Sequence, residues 1–228
     1  MPPNGKIIEL QALIQRHLSV PIVRHDQSFA TGIPQLDTVL DGGLQKGTII
    51  ELVSRHLSTG GTSWLHAILR HAAHQGRWSA LIDGTDSFDP QTASATVLSS
   101  LLWIRCRKVE EAVRSADLLL RDGNLPLIFL DLRGNNPAEL RKVPDTTWFR
   151  LQRAIEPTFA TLIALTPRPL IPSAQVRLGI EARFDLSALA REPEENLRAT
   201  RLQLLRKRSH ANIDDESLRC AEATAEAV

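Results

Sequence analysis

The spacing of apolar and polar residues changes several times along the chain, and each change marks an element. Thr48 to Val53, TIIELV, is a short and nearly continuous apolar run that predicts a buried strand. A small polar loop follows. From about Thr62 the period becomes helical, with Trp64, Leu65, Ile68, Leu69 and Ala72 on one stripe and Gly76 at its end. Trp78 to Ile82 predicts the next strand, closed by Asp83-Gly84, and Pro90 opens a further helix. Leu101 to Cys106 reads as a strand, and Val109 to Asp122 as a helix with Val113, Ala116, Leu119 and Leu120 inward. Leu127 to Asp131, LIFLD, is a strand ending in aspartate; Asp145 to Glu156 is a helix; Ala160 to Thr166 is another buried strand. Val176 to Leu186 and Leu197 to Leu205 alternate as late antiparallel strands. Strand–helix alternation from residue 48 to 166 predicts an α/β fold, a mostly parallel sheet with helices on both faces.

Upstream, Lys6 to Leu18 carries Ile7, Leu10, Ile14 and Leu18 at helical spacing, an amphipathic helix that packs either on its own domain or on a neighbouring molecule. Pro21 to Arg24 predicts a short strand. In Thr31 to Gly47, TGIPQLDTVLDGGLQKG, Ile33, Leu36, Val39 and Leu40 share a helical face, and Gly42-Gly43 ends the helix. The expected organisation is a helix and connector over 1–27, a core domain over 28–208, and a polar, alanine-rich tail over 209–228 that is expected to be disordered.

Composition changes this picture little. The 228 residues are 43% hydrophobic and 23% charged, the balance of an ordinary globular chain, and the net charge of +1 gives no overall polyanion signature. Cys106 and Cys220 form no disulfide or metal pattern and suit a reducing cytosol. No apolar run approaches the roughly 20 residues of a membrane helix, and MPPNGKIIEL lacks the layout of a signal peptide. The seven histidines show no ligand spacing, so no metal site is assigned. The densest basic stretch is Arg198, Arg201, Arg206, Lys207 and Arg208. It reads either as a solvated strand end or, at Arg206, Lys207 and Arg208, as a contact for DNA phosphate or an acidic partner.

The loop between the first buried strand and its helix carries the candidate chemistry. Strand, glycine loop and helix form the layout in which backbone N–H groups cradle phosphates. Against the pattern G-x-x-x-x-G-K-[ST], Arg55 stands at the first glycine and Gly61 at the lysine, with Ser58, Thr59, Gly60, Thr62 and Ser63 completing the loop. Charge-assisted hydrogen bonds of the kind that lysine makes contribute ~1.5–3 kcal/mol each, and glycine supplies none. Thr62 could still hold a magnesium ion. Asp131 ends a strand as the metal-orienting aspartate of phosphate-loop proteins does, and Asp83 and Asp86 follow the intervening strand.

Taken in order, ATGIPQLDTVLDGGLQKGTIIEL, STGGTSWL, ALIDGTDSFDP and LIFLD resemble the RecA-type recombinase core over roughly residues 28 to 186. RecA has an intact phosphate loop and a glutamate after the I-D pair. Here Thr85 holds the glutamate place, Asp86 is beside it, and the loop is one residue longer. A compact chain with such a degenerate core is similar to the ImuA family and, behind it, the SulA-like family. The resemblance implies a RecA-like P-loop fold in a cytoplasmic bacterial protein without catalytic residues. It implies no cofactor, with weak ATP and magnesium binding left open. ImuA-like proteins act in damage-induced mutagenesis with RecA and an ImuB-type, error-prone polymerase complex. SulA-like proteins bind FtsZ and inhibit division, and an ATP-dependent, DNA-binding recombinase is the remaining alternative. Ile7, Leu10, Ile14 and Leu18 are the expected partner contact, as an N-terminal element docks neighbouring subunits in RecA-type filaments. Direct DNA contact stays open, and no membrane is involved.

Overall fold

The computed structural model describes residues 28–56, 59–182, 197 and 200–208. The helix expected at 6–18, the strand at 21–24 and the tail from 209 lie outside the described residues. Among these residues the chain runs β1 (Ser28–Phe29), α1 (Pro34–Val39), β2 (Leu44–Gln45), β3 (Thr48–Val53), α2 (Gly61–His74) and β4 (Ser79–Asp83). It continues with α3 (Ala95–Ser99), β5 (Leu101–Arg105), α4 (Val109–Asp122), β6 (Leu127–Asp131), α5 (Pro137–Leu140), α6 (Asp145–Ile155), β7 (Thr161–Thr166), β8 (Val176–Glu181) and β9 (Arg201–Lys207).

The expected α/β arrangement forms. A seven-stranded sheet has the order β5-β4-β6-β7-β3-β8-β9, parallel throughout except for the β8–β9 pair. The central strands are apolar on both faces because helices cover both. Ile49, Ile82, Ile128, Leu130 and Leu162 face α4 and α6, where Val113, Ala116, Leu120, Trp148 and Leu151 pack on them. Their sequence neighbours Ile50, Leu81, Phe129 and Ile163 face the other way, against Leu36 of α1 and Trp64, Leu65, Ile68 and Leu69 of α2. Trp64 is fully buried in this second layer, so it serves as core packing.

The T-G-x-x-x-L-D run has a local explanation. The Thr31 backbone N–H and hydroxyl both donate to Asp37 Oδ1 at 2.7 Å, closing the turn that starts α1, while Leu36 is buried beneath it. The glycine pair after α1 lets the chain pass close to its own start. A Cβ on Gly43 would lie 2.2 Å from the Phe29 carbonyl oxygen, and the φ of +129° there is one that side chains resist.

Several boundaries differ from expectation. Pro90 opens only a 3-10 turn, Pro90–Thr92, in which the Asp89 carboxylate accepts from Gln91 N at 2.9 Å. The helix comes later, at α3, where Ser94 Oγ accepts from Val97 N. The strand expected to reach Leu186 ends at Glu181, and its partner starts at Arg201 and continues to Lys207. The antiparallel register, Glu181 opposite Arg201 and Val176 opposite Lys207, sets those limits. The small β1–β2 pair, α3 and α5 were too short for periodicity to reveal.

One buried carboxylate organises the far side of β3. Glu51 is fully buried, and its Oε1 accepts from Thr166 Oγ1 at 3.0 Å, Leu170 N at 2.6 Å and Ile171 N at 3.2 Å. Its Oε2 meets Arg177 Nε at 2.5 Å, and Arg177 also donates to the Ile171 carbonyl at 2.9 Å. The connection from β7 to β8 is thus held flat against the sheet. Removing one partner of a buried pair leaves a charge uncompensated, which costs about 3–5 kcal/mol. Arg177→Ala is therefore expected to lower unfolding free energy by that amount in urea titrations. Arg114→Ala, which breaks the exposed Arg114–Glu110 pair, costs less than about 1 kcal/mol.

Candidate functional site

The parallel strands deliver β3, β4 and β6 to one end of the sheet, where the α2 N-terminus also lies; ligands of open α/β sheets bind at such an end. Asp83 and Asp131 are paired positions on adjacent strands. After β3 the chain leaves at Ser54, whose N–H donates to the Thr166 carbonyl at 2.8 Å. The hydroxyls of Ser54 and Thr59 lie within hydrogen-bond reach of each other and of the His56 carbonyl, at 3.0 and 2.7 Å from it, and share their two protons among these contacts. Arg55 and His56 face solvent, while residues 57 and 58, Ser58 among them, lie outside the described residues. Gly60, in a left-handed conformation, caps α2, and Gly61 is its first residue. Ser63, half-buried, occupies the first turn of α2.

Arg133, which the sequence reading did not single out, fills the cradle. Its Nε donates to Asp131 Oδ1 at 2.9 Å, one terminal nitrogen to Asp131 Oδ2 at 2.6 Å, and the other to Thr62 Oγ1 at 3.1 Å. Its backbone N–H adds a bond to Asp131 Oδ1 at 3.1 Å. The two side chains are 6% and 9% exposed, so this is a buried pair. A Cβ built on Gly61 would lie 2.5 Å from the guanidinium and 3.3 Å from Arg133 Cδ. Arg133 lies in the turn after β6, where its backbone N–H folds back onto the Asp131 carboxylate and brings the guanidinium beside it; strand alternation does not reach this position.

The segment after β6 is fastened over the end of β4. Asn135 Nδ2 donates to the Gly84 carbonyl at 2.8 Å, and Gly84 N donates to the Asp131 carbonyl at 2.9 Å. Asp83 spends its carboxylate on its own turn, accepting from Phe88 N at 2.7 Å and Thr85 N at 3.3 Å. Thr85 lies against Gly134 and bonds Ser87 Oγ at 3.3 Å. Asp86 turns away to pair with Arg105 of β5, which holds its pKa below the ordinary carboxylate value. A magnesium–triphosphate needs the Asp131 carboxylate and the space over Gly61. With Arg133 bonded to the first and filling the second, the arrangement does not fit that group.

The remaining candidates disperse. Arg206 points inward, donating to the carbonyls of Ile171, Pro172 and Ala174 at 3.3, 3.0 and 2.8 Å, and burial lowers its pKa from the ordinary guanidinium value. Lys207 pairs with Asp41, and Arg208 is exposed. Arg198, Ile7, Leu10, Ile14 and Leu18 lie outside the described residues. Among the described residues no group of three His, Cys, Asp or Glu side chains could hold a metal ion, and no helix is long and apolar enough to cross a membrane.

No protein-family model matches the chain. It is similar to the DNA repair protein recA homolog 1, chloroplastic, of Arabidopsis thaliana, 34% identical over 107 residues, 46% of this chain and 24% of that protein. Protein RecA of Frankia alni is 35% identical over 108 residues, covering 46% and 31% of the two chains. Protein RecA of Mycobacteroides abscessus is 36% identical over 131 residues, covering 56% and 35%. The chain thus spans about a quarter to a third of the length of these curated relatives. Together with the sheet topology, the similarity identifies a RecA-like α/β core.

His66, on the second turn of α2, stacks on Phe88 with ring centroids 5.4 Å apart. Burial, then the charges of Arg133 and Arg70, lower its pKa, against a smaller opposing pull from Asp89. The unfolded chain therefore protonates first, so stability is full above about pH 6.5 and falls as pH drops through the lower folded value. Urea titrations at about pH 7.5 and 5 should show this loss, and His66→Gln should reduce it.

Proposed function

We propose that this chain is a non-catalytic RecA-like accessory protein of the DNA-damage response, of the ImuA kind. It supports translesion synthesis through contacts with RecA and an ImuB-type polymerase complex. The observation that carries the reading is the commitment of Asp131: both of its oxygens accept from Arg133. An aspartate so engaged is not available to orient a metal-bound water. Gly61 brings no cation to a triphosphate, and Thr85, beside Gly134, brings no base.

Similarity to proteins named RecA, one of them a DNA repair protein, supports the damage-response setting. The order of T-G-x-x-x-L-D, the glycine loop, I-D-x-x-x-x-x-D-P and LIFLD supports a scaffold kept for its shape. Such a scaffold offers partners a RecA-like surface that does not change with a nucleotide cycle. The leading segment with Ile7, Leu10, Ile14 and Leu18 is the proposed contact.

Titration calorimetry with ATP and magnesium is expected to give no binding heat. Micromolar affinity, abolished by Asp131→Ala, would instead make the chain an ATP-dependent motor. Gly61→Lys alone is expected to leave ATP turnover at background, because Thr85 still supplies no base. Purified RecA should be retained by the immobilised protein, and deletion of residues 1–18 should cut that retention at least about tenfold, the loss of ~1.4 kcal/mol of binding free energy.

A further inference from the structure

We infer that the Arg133 guanidinium is the resident cation of the cradle and that Gly61 is its steric complement. The inference rests on the accessory reading and gives that reading a physical basis. A phosphate loop normally meets its charge with a lysine on the helix and a metal ion held by the aspartate and the hydroxyl. Here the positive charge comes from the strand side. Arg133 bonds Asp131 through two nitrogens and Thr62 through the third, joining the end of β6 to the start of α2.

Three independent features hold the guanidinium there. Asp131 is buried, and an ionised carboxylate at such a position needs a partner. The loop carrying Arg133 is tied down at both ends: Leu132 N donates to the Leu165 carbonyl at 2.9 Å, and Asn135 holds Gly84. Residue 61 leaves the room, since a Cβ there would lie 2.5 Å from a guanidinium nitrogen, with Ser54 Oγ and Arg133 Cδ in tight contact at 3.2 and 3.3 Å. Gly61 has no positive φ, so its lack of a side chain answers to the side chains packed on it, Arg133 first and Ser54 second, and not to backbone strain. The two positions form a pair: a side chain at 61 and an arginine at 133 exclude each other.

Gly61→Ala tests this by the sign of its effect. A glycine-to-alanine change inside a helix is ordinarily favourable. In the unaltered chain it should lower the thermal midpoint by on the order of 3–8 °C, because the methyl group strikes Arg133. In the Arg133→Ala background the same change should raise the midpoint or leave it alone. Arg133→Lys is the second background, since lysine is shorter yet keeps a charge for Asp131. Equal effects of Gly61→Ala in all backgrounds would overturn the pairing. Should neither Arg133 variant fold, manganese chloride decides: recovery of the native circular dichroism supports an exchangeable cation, and no recovery overturns it. ATP binding by the unaltered protein would sink the accessory reading instead, and that measurement does not enter this cycle.

Discussion

A carboxylate buried where a parallel strand ends must be met by positive charge, and the way Asp131 is met governs this end of the molecule. Helix α2 points its N-terminus here, with first-turn backbone N–H groups that have no partner within the helix and the positive end of its dipole. Those groups favour an anion but do not compensate Asp131 by direct contact. Arg133 does, with the geometry that makes guanidinium–carboxylate pairs strong. The small side chains nearby follow from it. Gly61 makes space for the guanidinium, Gly84 admits Asn135, and Gly134 admits Thr85.

Glu51 presents the same problem deeper in the sheet, and the chain answers it differently. Its cation, Arg177, comes from β8, far away in sequence, and its remaining oxygen gathers two backbone N–H groups from the β7–β8 connection. One pair is local and closes a cradle. The other is long-range and flattens a loop. Both replace mobility with fixed hydrogen bonds, which is consistent with a scaffold that holds one shape.

Much of the fold was legible because the central strands are apolar on both faces and short, and the helices between them carry clean stripes. Strands β3 and β6 and helix α4 fall at their expected bounds. The edges were harder. Strand β9 is largely exposed, so its pattern has no buried face to fix its register, and hydrogen bonding to β8 decides where it starts. The loop with Gly60 and Gly61 was recognisable as a cradle, and the missing lysine was visible. What fills the gap was not, because a motif search looks along the loop while the guanidinium arrives from the turn after β6, a strand that β7 separates from β3. Asp86 shows the same limit: it is close to Asp83 in sequence yet belongs to a surface pair with Arg105.

The basic run at the end of β9 has a practical bearing on mutational mapping. Its members look equivalent as letters but occupy unequal situations. Arg206 is a strut tied to three carbonyls, Lys207 is tethered to Asp41, and Arg208 alone of the three faces solvent without such a tie among the described residues. An alanine scan for polyanion contact would register a folding defect at the first, a loosened α1 corner at the second, and an uncluttered charge deletion only at the third.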